Sequence, residues 1–93
     1  MRSVRRVLIE GRVQGVGFRA WTVREAVHRG LQGWVRNLSD GRVEAVFSGQ
    51  EDVVLQMIEA CKDGPQFSRV EKIEVYSYKD EVADEPFAAR QTV

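Results

Sequence analysis

The residue pattern predicts an α+β fold of the split β-α-β kind, with two helices packed on one face of an antiparallel sheet. Three observations point there. Hydrophobic periods run in the order strand, helix, strand, strand, helix, strand. A turn signal at Ser39-Asp40-Gly41 joins the two middle strands into a hairpin. The length of 93 residues fits a single domain spanning 1–93, and 43% hydrophobic with 30% charged residues suits a water-exposed globule with one modest core.

Each element has its own signal. Residues 4–10, VRRVLIE, are rich in β-branched side chains and read as the first strand. A helix fits residues 18–30: Ala20, Val23, Val27 and Leu31 recur at helical spacing, and Ala26 widens that stripe. Gly30 is a natural stop, and Arg29 in the last turn suits the helix dipole. Residues 33–38 (GWVRNL) and 42–48 (RVEAVFS) are the expected second and third strands. In the latter, Val43, Ala45 and Phe47 alternate with Arg42, Glu44 and Val46.

A second helix fits 51–62, with an acidic start and a stripe of Val54, Met57 or Ile58, and Cys61; Gly64-Pro65 stops it. The fourth strand is expected at 70–78, where Val70 and Ile73 differ in parity, so a bulge or a late start is expected. The acidic run KDEVADEP reads as a loop, and 87–93 as a short final strand with the weakest pairing signal.

The net charge is zero, but it is unevenly spread. Residues 1–36 hold eight arginines against Glu10 and Glu25, whereas residues 37–93 hold six basic and twelve acidic side chains. Two readings are open: the first third lines a site for something anionic, or the two parts pack together and their charges average out. No apolar run approaches the ~20 residues of a membrane span, and the N-terminal apolar run is too short for a signal peptide. The single cysteine, Cys61, can form no internal disulfide. The expected location is the cytoplasm.

The segment Gly11–Arg19, GRVQGVGFR, links the first strand to the first helix. Gly15 and Gly17 permit a bent backbone whose N–H groups converge, next to the unpaired N–H groups of a helix start. Such a nest can hold an anion, and Arg19 in the first turn offers a planar fork to its oxygens. The segment is neither a P-loop nor a dinucleotide fingerprint, since it lacks GK[ST] and GxGxxG spacing. A glycine-rich turn followed by a solvent-facing arginine is the plainer alternative. Asn37 also has two readings, a local backbone cap beside the Ser39-Asp40-Gly41 turn or a site residue.

Two stretches resemble a known family. Ile9–Arg19, IEGRVQGVGFR, and Gly33–Gly49, GWVRNLSDGRVEAVFSG, are similar to the two signatures of the acylphosphatases, small enzymes that hydrolyse carboxyl–phosphate anhydrides. The resemblance covers the first half of the chain. It implies a ferredoxin-like split β-α-β sandwich, the architecture already expected from periodicity.

The resemblance further implies that Arg19 and Asn37 are catalytic. It places a phosphate cradle on the backbone of Gln14, Gly15, Val16, Gly17, Phe18 and Arg19, and calls for no metal and no cofactor. Gly17 stands at a variable place in that cradle and is expected to leave the loop looser. The implied reaction gives a carboxylate and inorganic phosphate by direct attack of a water that Asn37 orients. Its carboxylate leaving group needs no strong general acid.

The expected partner is a small acyl phosphate, with no nucleic acid, membrane or obligate protein partner. Two alternatives stand beside this: a carbamoyl-phosphate-handling domain of a larger maturation protein, and a non-enzymatic module binding RNA or a metabolite. The acidic second half and the lack of a paired aromatic platform weigh against RNA. His28 is expected at the surface or partly packed, Cys61 in the core, and Trp21 and Trp34 in core or site-wall packing. Arg12, Arg24 and Arg36 are expected to broaden the positive field at the site mouth.

Overall fold

The computed structural model describes all 93 residues. The elements are β1 (Arg2–Arg12), α1 (Phe18–His28), β2 (Gln32–Asn37), β3 (Val43–Gln50), α2 (Glu51–Asp63), β4 (Arg69–Ser77) and β5 (Ala88–Ala89). The sheet order is β4-β1-β3-β2-β5. This is the expected α+β, ferredoxin-like arrangement, and no helix is long and apolar enough to cross a membrane.

One face of the sheet and the two helices enclose the core. Val7 and Ile9 of β1, Val35 of β2, and Val43, Ala45 and Phe47 of β3 meet Phe18 and Ala26 of α1 and Val54, Met57, Ile58 and Cys61 of α2. The α2 stripe is the expected one. The α1 stripe holds in part: Ala26 and Leu31 are buried in the core and Val23 packs against it, but Ala20 is exposed and Val27 is 51% exposed, and the buried residues of the helix itself are Phe18, Thr22 and Ala26. Thr22 tolerates burial because its hydroxyl donates to the Phe18 carbonyl at 2.8 Å.

The end of α1 follows from Gly30, which adopts φ +72°. The Leu31 N–H bonds the Ala26 carbonyl at 2.9 Å and the Gly30 N–H bonds that of Val27 at 3.0 Å. These are the paired bonds of a Schellman motif, so the helix stops two residues before the expected boundary.

The four long strands pair antiparallel, as expected. β5 differs: it lies parallel to β2, with Trp34 opposite Ala88 and Val35 opposite Ala89. The reason is directional. β4 runs opposite to β1 and therefore opposite to β2. The chain then crosses to the far edge of the sheet and reverses, so β5 runs the same way as β2. The parity conflict in β4 resolves as a bulge: Glu10 faces Lys72 and Gly11 faces Val70, leaving Glu71 as the extra residue.

β3 is buried on both faces, beyond the simple alternation expected of it. On the face away from the helices, Glu44 is only 4% exposed. Its Oε2 accepts from Arg6 Nε at 2.6 Å and its Oε1 from Arg36 Nε at 2.7 Å. Burial raises the Glu44 pKa, but the two guanidinium hydrogen bonds outweigh it and hold the carboxyl below its ordinary value. Arg36 is therefore bound to Glu44 and half-buried, and is not part of a field at the site mouth. Its guanidinium also lies 4.7 Å from the Trp34 ring centre, and that of Arg90 lies 4.6 Å from it.

Candidate active site

The segment between β1 and α1 has a simple internal logic. Val13 and Phe18 are buried and Val16 packs against the core, whereas Gly15 and Gly17 are exposed. The apolar side chains pin the loop inward, and the glycines turn the backbone outward. Gly17 is the N-cap of α1 and sits at φ +79°, ψ +19°, a left-handed conformation that costs most L residues roughly 1–2 kcal/mol. A Cβ there would meet no atom within 4 Å. The constraint on this position is thus conformational and not steric.

The outward backbone has hydrogen-bonding capacity to spare. The N–H groups of Gly15, Val16 and Gly17 bond no acceptor within the chain, while the Gly17 carbonyl accepts the first helical bond, from Trp21 N–H at 3.0 Å. Successive free N–H groups leading into a helix start make a concavity of positive potential.

Two side chains join that backbone. A cavity of about 200 Å³ is lined by Val13, Gly15, Gly17, Phe18, Arg19, Ala20 and Asn37. Arg19 reaches it from the first turn of α1 and Asn37 from the last residue of β2. Arg19 pairs with no carboxylate; its one bond in the chain is from Nη1 to the Arg90 carbonyl at 3.4 Å. The Asn37 carboxamide makes no hydrogen bond in the chain, so the capping reading is not borne out. Asp40 caps the turn instead, accepting from Arg42 N–H at 3.0 Å and Arg42 Nε at 2.9 Å.

Two residues expected in the cradle do not line the cavity. Val16 turns its side chain into the core, which leaves only its N–H to offer. The Gln14 side chain points to the β2–β3 turn, where its Nε2 donates to the carbonyls of Leu38 and Arg42.

The structure also brings in residues not expected at the site. The tail bonds along β2: Arg90 N–H to the Val35 carbonyl at 2.8 Å, Val93 N–H to the Asn37 carbonyl at 3.2 Å, and Ser39 N–H to the Val93 carbonyl at 2.8 Å. The only hint was the short strand expected at 87–93.

Half of the early arginines are neutralised within the fold. Arg5 pairs with Glu51, Arg6 and Arg36 with Glu44, and Arg29 with Glu25. Arg2, Arg12, Arg19 and Arg24 form no ion pair. The charge imbalance is thus partly averaged by packing, and the arginines left without an ion pair lie at the two ends of β1 (Arg2, Arg12) and on α1 (Arg19, Arg24). His28 is exposed in the last turn of α1, and Cys61 is buried in α2.

A family model described as Acylphosphatase matches residues 5–89. The chain belongs to the acylphosphatase family. An acylphosphatase of Nitrobacter winogradskyi is 54% identical over 92% of this chain and 78% of its own length. The crystal structure of the Bacillus subtilis acylphosphatase superposes with a TM-score of 0.89 at 40% identity, covering 97% of this chain and 99% of that one. The structure of T. kodakarensis HypF matches with a TM-score of 0.83 at 30% identity, over 100% of this chain but 12% of that one. The Bacillus subtilis acylphosphatase is thus matched over nearly its whole length, whereas the likeness to HypF is to a small part of a longer protein.

Proposed function

We propose that the chain hydrolyses the carboxyl–phosphate bond of acyl phosphates, releasing a carboxylate and inorganic phosphate. The observation that carries this reading is the shared cavity: Arg19 and Asn37, from separate elements, meet the free backbone of Gly15 and Gly17 there, in a chain of the acylphosphatase family.

In this reading the phosphoryl oxygens sit in the cradle formed by the backbone from Gln14 through Gly15, Val16, Gly17 and Phe18 to Arg19. The Arg19 guanidinium binds two of those oxygens from one side. Fixed N–H donors and a cation offset the charge that spreads over the oxygens as the bond to the leaving group lengthens. Asn37 holds a water on the opposite side, accepting through its Oδ1 and donating through its Nδ2. The water oxygen bonds phosphorus, the bond from phosphorus to the acyl oxygen breaks, the carboxylate leaves, and the proton of the water passes to the released phosphate or to solvent.

Carboxylate is a good leaving group, so the site's lack of a strong general acid fits the substrate. Every group used belongs to this chain, and the proposal includes no metal and no cofactor. The reading as a carbamoyl-phosphate domain of a larger protein has less support: the identity to HypF is 30%, against 54% and 40% to proteins named acylphosphatase.

The test is phosphate release from benzoyl, acetyl and carbamoyl phosphates in EDTA. Release is expected to persist in the chelator. Arg19→Ala is expected to lose both turnover and binding of inorganic phosphate. Asn37→Ala is expected to lose turnover by about 100-fold or more while still binding phosphate. Near-normal turnover in Asn37→Ala would remove its assigned role. Loss of release in EDTA would defeat the metal-free mechanism, and no release from any of the three would favour a binding module.

A further inference from the structure

Gln14 lies in the cradle sequence, yet its side chain does not line the cavity. Its Nε2 donates to the Leu38 carbonyl at 2.8 Å and to the Arg42 carbonyl at 2.9 Å. The two partners are acceptors, so the amide nitrogen, with its two hydrogens, must face them, and both donors are used. Leu38 directly follows Asn37, and Arg42 directly precedes β3.

The turn that Gln14 grips is stiff in its own right. Leu38 N–H bonds the Arg42 carbonyl at 2.8 Å, and Asp40 holds Arg42 through both its backbone and its guanidinium. The Gln14 amide is thus a strap from the phosphate cradle to a rigid unit whose first neighbour is Asn37. No other side-chain hydrogen bond joins residues 13–17 to residues 37–42.

We propose that Gln14 is a positioning residue: its carboxamide sets the distance between the cradle and Asn37, and so between a bound phosphoryl group and the attacking water. The inference rests on the hydrolase reading above. A displacement of about 1 Å in such a geometry can cost as much as 100-fold in rate. The loss should fall on kcat, because Arg19 and the cradle N–H groups hold phosphate without help from the strap.

Three variants test it with benzoyl phosphate as substrate and inorganic phosphate as the binding probe. Gln14→Met keeps the size and removes both donors. It is expected to lower kcat by roughly tenfold while changing phosphate affinity by less than about threefold. Gln14→Glu has no donor when ionised and regains one O–H when protonated. Its activity relative to the unaltered enzyme is therefore expected to rise as pH falls toward the ordinary carboxyl range of about 4–5.

The double variant Gln14→Met/Asn37→Ala separates the levels. If Gln14 acts through Asn37, it is expected to be no slower than Asn37→Ala alone. A further loss in the double variant, or weakened phosphate binding in Gln14→Met, would overturn the proposal. So would unimpaired turnover in Gln14→Met with Asn37→Ala impaired, which leaves the hydrolase reading standing. Full turnover in Asn37→Ala would instead strike the role of Asn37 itself, and the strap's purpose with it.

Discussion

Phe87 lies stacked on Phe47, with ring centres 5.5 Å apart and planes inclined by 16°. The first ring comes from the segment that leads into β5 and the second from the middle of β3. Phe87 is 3% exposed, and it is the main apolar side chain that fastens the late segment to the core. Phe87→Ala is expected to destabilise the fold by about 3 kcal/mol or more, read as a lowered urea midpoint. The effect on turnover at a temperature where the variant stays folded should be smaller than that of Asn37→Ala, because Phe87 does not line the cavity.

Glu44 contributes stability in a defined pH window. Its folded pKa lies below its ordinary value, so the contribution is fully present above the unfolded carboxyl pKa of about 4.3 and is lost as pH falls through the folded value. Glu44→Gln leaves Arg6 and Arg36 without their counter-charge and is expected to cost roughly 1–3 kcal/mol at neutral pH. Urea unfolding at pH 7 and near pH 3 checks this. The gap between variant and unaltered protein should narrow at the lower pH, and an undiminished gap would refute the ion-pair account.

Gly17→Val places a β-branched side chain at φ +79°. Since the site is open to solvent, any loss comes from backbone strain and not from a clash. The expected outcome is destabilisation of about 1–2 kcal/mol with weaker binding of inorganic phosphate, as the strained loop turns its N–H groups away. Calorimetric titration with phosphate, alongside thermal unfolding, reads both effects.

Cys61 is expected to be inert in the folded protein. Burial pushes its thiol up to about 12, so almost no thiolate forms at neutral pH. Labelling by a thiol reagent should be slow in buffer and fast in denaturant, and Cys61→Ser should leave turnover unchanged.

How far the sequence could be read depended on what each side chain displays. The α2 stripe was legible because Val54, Met57, Ile58 and Cys61 are all apolar. The α1 stripe was legible only in part: Val23, Ala26 and Leu31 face the core as read, but Thr22 is polar in type and is buried with its hydroxyl bonded to the helix's own backbone. Alternation placed Val43, Ala45 and Phe47 on the helix face of β3. It could not show that Glu44 opposite them is buried too, since that depends on Arg6 and Arg36 arriving from two other strands. At the site, Arg19, Asn37 and the glycines carried a local signature. The Gln14 strap and the tail along β2 did not, because both join residues distant in sequence through bonds to backbone carbonyls, which any residue type supplies.

The central place of β1 sets a kinetic consequence. It pairs with β3 on one side and β4 on the other, and Arg5 lies opposite Ser77 near the far end of the chain. Little of the sheet can form by local zippering apart from the β2–β3 hairpin, so most of the loop-closure entropy must be surrendered before β1 is paired on both edges. Such a contact pattern belongs with folding in milliseconds to seconds instead of microseconds, and stopped-flow refolding would measure where in that range the chain falls.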